Sequence, residues 1–202
     1  LYLNGEHWYD CYMLERYDEQ YFRQHYQVDD RVLVKNSMVK ERDDFDAQQY
    51  DYTTFMGWVQ DTDFTDPTEW TAFQEQADVQ SYIDYTAINC ILCNLDYGDY
   101  YNYVLWRAPS LGGRQGEKAK WKWCVYDVDA LTWVDEDKYG PREAVNTFGF
   151  DEGKGIRYTS IFASLKENAE FRQRFATSFM DILNNNFAPE RVETVLNHYG
   201  YD

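Results

Sequence analysis

The chain is 202 residues long, 44% apolar and 27% charged, a globular mixture of about one domain that excludes disordered and collagen-like classes. Asp and Glu number 36 against 19 Lys and Arg, a formal net charge of −17, which argues against nucleic-acid binding by phosphate neutralisation. No apolar run approaches the roughly 18 residues that a membrane helix needs, so no membrane span is expected.

In chain order, Tyr2-Leu3, Asn4-Gly5 and the aromatic run after them predict a β-hairpin (about 1–4 and 8–15) around a tight Asn-Gly turn. Leu1 falls inside this strand pattern, so the expectation is a piece of a longer protein, with any signal peptide upstream. Asp18 predicts the cap of a short helix through Tyr26, and Arg31 to Lys35 reads as a strand. Lys40 to Tyr50 is charged and without apolar period, and reads as a loop before a helix from about Tyr52 to Gln60. Thr65 or Asp66, followed by Pro67, opens the next helix. Asp78 opens another, whose Val79, Ile83, Ala87, Cys90 and Ile91 share a face and which ends near Cys93.

A polar, aromatic loop from Asn94 to Tyr101 leads into a strand at Tyr103 to Trp106. Pro109 to Lys120, with Gly112, Gly113 and Gly116, reads as a hairpin tip, and Lys120 to Tyr126 as its returning strand. Residues 130–157 lack a strong period and predict a long excursion. The last third reads as helical, with Phe171, Phe175, Phe179, Ile182 and Leu183 on one amphipathic helix and Val192, Val195, Leu196 and Tyr199 on another. The order of elements predicts an α+β domain. Aromatic residues reach 19%, which fits a large core with hydroxyls at its edge and is a composition common in secreted proteins.

One constellation carries chemistry. If 103–107 and 121–126 pair, Asn102 and Asp127 emerge at the same end of the hairpin, and Asp96 joins them from the preceding loop. Two carboxylates and an amide oxygen suit Mg²⁺, Mn²⁺ or Ca²⁺. Protein kinases use this logic, with an Asp for the hydroxyl proton, an Asn on a metal and an Asp on the metals after the next hairpin. Spacing alone leaves two readings open, a metal or phosphoryl-transfer site and ordinary loop capping.

Four blocks then resemble the spore coat protein H (CotH) kinase family in its order. They are Leu3-Asn4-Gly5-Glu6 with Tyr12-Met13-Leu14-Glu15, Asp78-Val79 through Ile83-Asp84-Tyr85, Asn94-Leu95-Asp96 with Asn102, and Lys122-Trp123 with Tyr126-Asp127-Val128-Asp129. The resemblance implies an atypical protein-kinase-like fold, mainly a helical C-terminal lobe with β-hairpins at the cleft. It implies one domain over 1–202 whose upstream nucleotide-contacting region precedes Leu1. It implies transfer of phosphate from ATP, with Mg²⁺ or Mn²⁺, to Ser or Thr of a protein partner at a bacterial cell surface, spore coat or other extracellular place. Carried over position by position, Asp96 is the catalytic Asp, Asn102, Asp127 and Asp129 are metal-site residues, and Lys122 and Trp123 are cofactor-side residues. A chain without the upstream region also fits a non-catalytic surface module that binds a protein or polysaccharide.

Lys35, Arg107, Lys122 and Arg157 are the available cations, and the sequence aims none of them at a phosphate. Glu15 has two readings, partner of a kinase lysine or a surface salt bridge to Arg16 or Lys35. Cys11, Cys90, Cys93 and Cys124 leave three outcomes open: burial as small hydrophobes, disulfides, or zinc. His7, His25 and His198 form no ligand set.

Overall fold

A computed structural model describes residues 2–7, 15–40, 42–92, 94, 97–98, 102–108, 120–128 and 160–198. Among them the chain forms strands β1 (Tyr2–Leu3), β2 (Glu6–His7), β3 (Val32–Lys35), β4 (Met38–Lys40), β5 (Val104–Arg107) and β6 (Lys122–Cys124). The helices are α1 (Glu19–Tyr26), α2 (Phe45–Asp61), α3 (Pro67–Gln76), α4 (Val79–Ile91), α5 (Ser160–Leu165), α6 (Ala169–Asn186) and α7 (Pro189–His198). The fold is α+β, as its sequence pattern predicts. The expected tip at 109–119 and the excursion at 130–157 lie outside the described residues, as does most of the second run of the first hairpin.

Turn chemistry sets the two tight hairpins. Asn4 and Gly5 both take positive φ, 53° and 85°, the twist of a two-residue hairpin turn, and pair Tyr2 with His7. Asn36 and Ser37 do the same at 52° and 64°, and join β3 to β4 with Val34 opposite Val39. The sequence reading missed β4, because Asn-Ser is a weaker turn signal than Asn-Gly.

The expected loop over Lys40 to Tyr50 is corrected as well: α2 begins at Phe45. Its first turns look aperiodic because an inward position is Gln49 rather than an apolar residue. The Gln49 amide accepts the Val39 N–H at 2.9 Å and donates to the Ser37 carbonyl at 3.1 Å. A side chain thus satisfies the outer edge of β4, where a further strand would otherwise pair.

The main sheet runs β4-β3-β5-β6, all antiparallel. Alternation along its strands gives each face its own core. Val32, Val34, Tyr103, Leu105, Trp121 and Trp123 join the core with α2 and α4. Leu33, Val104, Trp106 and Cys124 face the smaller core under α1, where Phe22 and Tyr26 lie 4.6 and 4.7 Å from the Trp106 ring.

Helix starts follow the capping residues. Asp18, Asp66, Asp78 and Asn168 accept from Tyr21, Thr68, Ser81 and Phe171 N–H groups. Asn168 also donates to the Phe64 carbonyl at 2.7 Å, tying α6 to the loop before α3. Helix α4 is buried more widely than its predicted stripe, adding Tyr82, Tyr85, Thr86 and Asn89. Such all-round burial marks a central helix, and α4 packs on both β6 and α6. Helix α7 has no buried residue.

The start of β6 is stitched to the α3–α4 junction. Trp121 N–H donates to the Gln76 carbonyl at 2.9 Å and accepts at its own carbonyl from Asp78 N–H at 2.8 Å. Lys122 Nζ meets the Asp78 carboxylate at 2.8 Å. Burial alone would raise the Asp78 carboxyl, but hydrogen bonds from Lys122 and the Ser81 N–H together hold it below the ordinary aspartate range. Asp78→Ala removes cap and ion pair together and is expected to cost about 2 kcal/mol in urea unfolding at neutral pH. Because the folded-state pKa is depressed, this stabilisation fades as pH falls from about 3.9 through the lower folded value. The acid limb of Asp78→Asn is therefore shallower than that of the wild type.

Candidate functional site

The site is built on the register of three strands. Lys35 is opposite Val104 on β5, and Val104 is opposite Cys124 on β6. The ends of β3 and β6 and the start of β5 therefore lie side by side. Asn36 leaves this end, Asn102 arrives two residues before β5, and Asp127 leaves three residues after β6. Asn36, Asn102 and Asp127 have φ of 52°, 48° and 55°, the left-handed region in which Asn and Asp are the best tolerated non-glycine residues. Asn102 and Asp127 thus come to one end of the sheet, although 25 positions separate them in the chain.

Tyr103 clamps this end. Its N–H donates to Asn36 Oδ1 at 3.3 Å, and its carbonyl accepts the Asn36 N–H at 2.9 Å. Its hydroxyl accepts the indole N–H of Trp123 at 2.9 Å, so β5 and β6 are joined by side chains as well as by the ladder. Tyr17 fixes the outgoing segment by donating to the Val125 carbonyl at 2.6 Å.

A buried amide pair supports the site from α4. Asn89 and Asn94 are both fully buried. Asn89 Nδ2 donates to the Tyr85 carbonyl at 2.8 Å, and its Oδ1 accepts from Asn94 Nδ2 at 2.8 Å. The Asn94 amide also reaches the Asp127 carbonyl, at 3.5 Å. The end of the central helix is therefore linked to the backbone of the candidate metal residue. Nearby, burial and the Cys90 sulfur push the Tyr97 hydroxyl well above its ordinary pKa, and Cys90 Sγ lies 3.7 Å from that hydroxyl.

Asp96 and Asp129 lie outside the described residues. Among the described residues no three His, Cys, Asp or Glu side chains gather as metal ligands; Asn102 and Asp127 offer one amide oxygen and one carboxylate, hard donors that suit Mg²⁺ or Mn²⁺. The surroundings of Lys122 and Trp123 do not support the expected nucleotide contact. Trp123 is 6% exposed, packed 5.0 Å from the Tyr82 ring, and Lys122 is engaged with Asp78. Alternation explains the burial of Trp123, which faces the large core.

Glu15 pairs with neither expected cation; it meets His25 at 2.8 Å. Cys90 and Cys124 are buried, and burial pushes the Cys124 thiol up to about 12. Cys11 and Cys93 lie outside the described residues.

Lys35 is the cation that only the tertiary structure brings forward. Its Nζ donates to the Tyr126 hydroxyl and sits 4.0 Å from the centre of the Tyr126 ring, directly beside Asp127 in the chain. The run Val32 to Lys35 signals a strand but not its neighbours, so no local signal finds this lysine.

Asn89→Ala leaves the Asn94 amide short of an acceptor in a dry environment and is expected to cost roughly 1–3 kcal/mol. Because the two amides share one bond, Asn89→Ala with Asn94→Ala should cost less than the sum of the single changes, measured by denaturant unfolding. Additive costs would show that the pair is not coupled.

No curated protein and no solved structure matches the chain. The family model described as CotH kinase protein matches residues 1–200, in agreement with the four sequence blocks and with the α+β fold. The chain belongs to the CotH kinase protein family.

Proposed function

We propose that this chain is the metal-binding part of an atypical protein kinase that moves the γ-phosphoryl group of ATP to a Ser or Thr hydroxyl of a protein partner. The observation that carries the reading is the β5–β6 register. It brings Asn102 and Asp127 to one end of a hairpin, as a kinase hairpin separates its metal-binding Asn and Asp. Membership of the CotH kinase family supports it.

In this reading Asn102 and Asp127, with Asp129, hold Mg²⁺ or Mn²⁺. A metal held there would supply positive charge that offsets the charge of the phosphates. Asp96 orients the acceptor hydroxyl and takes its proton. The hydroxyl oxygen bonds to the γ-phosphorus, the bond to the β–γ bridging oxygen breaks, and ADP leaves with that electron pair. Trp123 serves from below, holding Tyr103 beside Asn102. The left-handed backbone at 102 and 127 is set before ligand arrives, so little reorganisation remains at the moment of transfer.

The partner is a Ser- or Thr-bearing protein, and its place is outside the cytoplasm, at a cell surface or spore coat, as the family's name suggests. No helix among the described residues is long and apolar enough to cross a membrane.

The test uses γ-labelled ATP, Mg²⁺ or Mn²⁺ and a Ser-rich acceptor, with the longest form of the protein that can be made. Wild type is expected to label the acceptor. Asp127→Ala is expected to lose both labelling and the thermal stabilisation by metal-ATP. Asp96→Ala is expected to lose labelling while keeping that stabilisation. Unchanged stabilisation in Asp127→Ala overturns the metal role. Stabilisation without labelling in wild type favours the non-catalytic surface module.

A further inference from the structure

We propose that Lys35 is a phosphate-contacting residue of this site, holding a nucleoside polyphosphate beside the metal-binding end of the sheet; the inference rests on the phosphotransfer reading above. The register supplies the position. Lys35, Val104 and Cys124 are neighbours across three strands, so Lys35 stands at the end of the sheet to which Asn102 and Asp127 come. Tyr126, which holds the lysine, is bonded directly to Asp127.

Charge supplies the chemistry. In a chain of net charge −17, a polyphosphate with about four negative charges meets general repulsion and needs local cations. Most candidates are already neutralised. Arg42, Arg107 and Lys122 each have a carboxylate oxygen at 2.8 Å or less, and Arg23 is paired with Asp29 at 2.8 Å. Lys35 has no carboxylate partner among the described residues. A phenol and a ring face hold it instead.

That difference matters physically. A carboxylate cancels the charge of an ammonium, whereas an aromatic ring and a neutral hydroxyl orient it and leave the full positive charge available. Tyr126 is thus a rest for the lysine that a phosphate oxygen can outcompete, because the phosphate carries a charge opposite to the ammonium and the phenol oxygen carries none. The flexible four-carbon stem of Lys35 allows that exchange without movement of β3.

The experiment compares wild type, Lys35→Met and Lys35→Arg in the full chain, reading Mg-ATP and adenosine binding by thermal shift and fluorescence. Lys35→Met is expected to weaken Mg-ATP binding by roughly tenfold or more while leaving adenosine binding unchanged, and Lys35→Arg to recover part of the loss. Equal Mg-ATP affinity in wild type and a folded Lys35→Met overturns the proposal. Amine-reactive labelling of wild type, read by mass spectrometry, keeps the test independent of any variant. Mg-ATP is expected to protect Lys35 and adenosine is not; labelling unaffected by Mg-ATP overturns the proposal. If wild type binds no Mg-ATP at all, the phosphotransfer reading falls and this proposal falls with it. If it binds and Lys35 is indifferent, only this proposal falls.

Discussion

The hydrogen-bonded register across β3, β5 and β6 is the constraint on which the rest of the structure depends. A slip of one residue along β5 would turn its side chains to the opposite face. Val104 and Trp106 would enter the large core, and Tyr103 and Leu105 would leave it. The same slip would carry Asn102 away from Asp127 and Lys35 away from both. Core packing and candidate chemistry therefore rest on one alignment, and the side chains that secure it do both jobs. Tyr103 is the clearest case: buried, bonded through its backbone to Asn36 and through its hydroxyl to Trp123, it locks the sheet end where the polar residues collect.

Polar side chains secure both ends of α4. At the N-terminus of α4, Asp78 caps the helix, meets Lys122 and donates its N–H to Trp121. At the C-terminus of the same helix, Asn89 and Asn94 continue the helix pattern into the loop and reach Asp127. Buried polar groups cost free energy unless they are bonded, and these are bonded in ways that fix both ends of α4 against β6 and its extension. The central helix is thus a rigid strut between the start and the end of the strand that leads to Asp127.

Aromatic residues account for this rigidity elsewhere. Phe55, Trp58, Phe64, Trp70 and Phe73 form a continuous cluster between α2 and α3. Phe162, Phe171 and Phe175 extend it along α6. Tyr17, Tyr21, Phe22 and Tyr26 cover the opposite face of the sheet with α1. The high aromatic content is thus mainly a core property, with hydroxyls such as those of Tyr17 and Tyr103 used to hold backbone at the site.

Local signals in the sequence by themselves determined the helix caps at Asp18 and Asp78, a helix start at Thr65 or Asp66 before Pro67, the Asn-Gly turn, the strands around Val34, Leu105 and Trp123, and the four family blocks, because capping, turn geometry and period-two alternation act over a few residues. Tertiary structure alone decided what those signals cannot carry. It made a strand of Met38 to Lys40 and a helix start of Phe45, since Gln49 answers a strand edge that is distant in kind from its own helix. It withdrew Trp123 into the core, tied Lys122 to Asp78, and set Lys35 on Tyr126 beside Asp127. The last three are pairings across tens of residues, and such a pairing is fixed only when the sheet register and the packing of α4 are both in place.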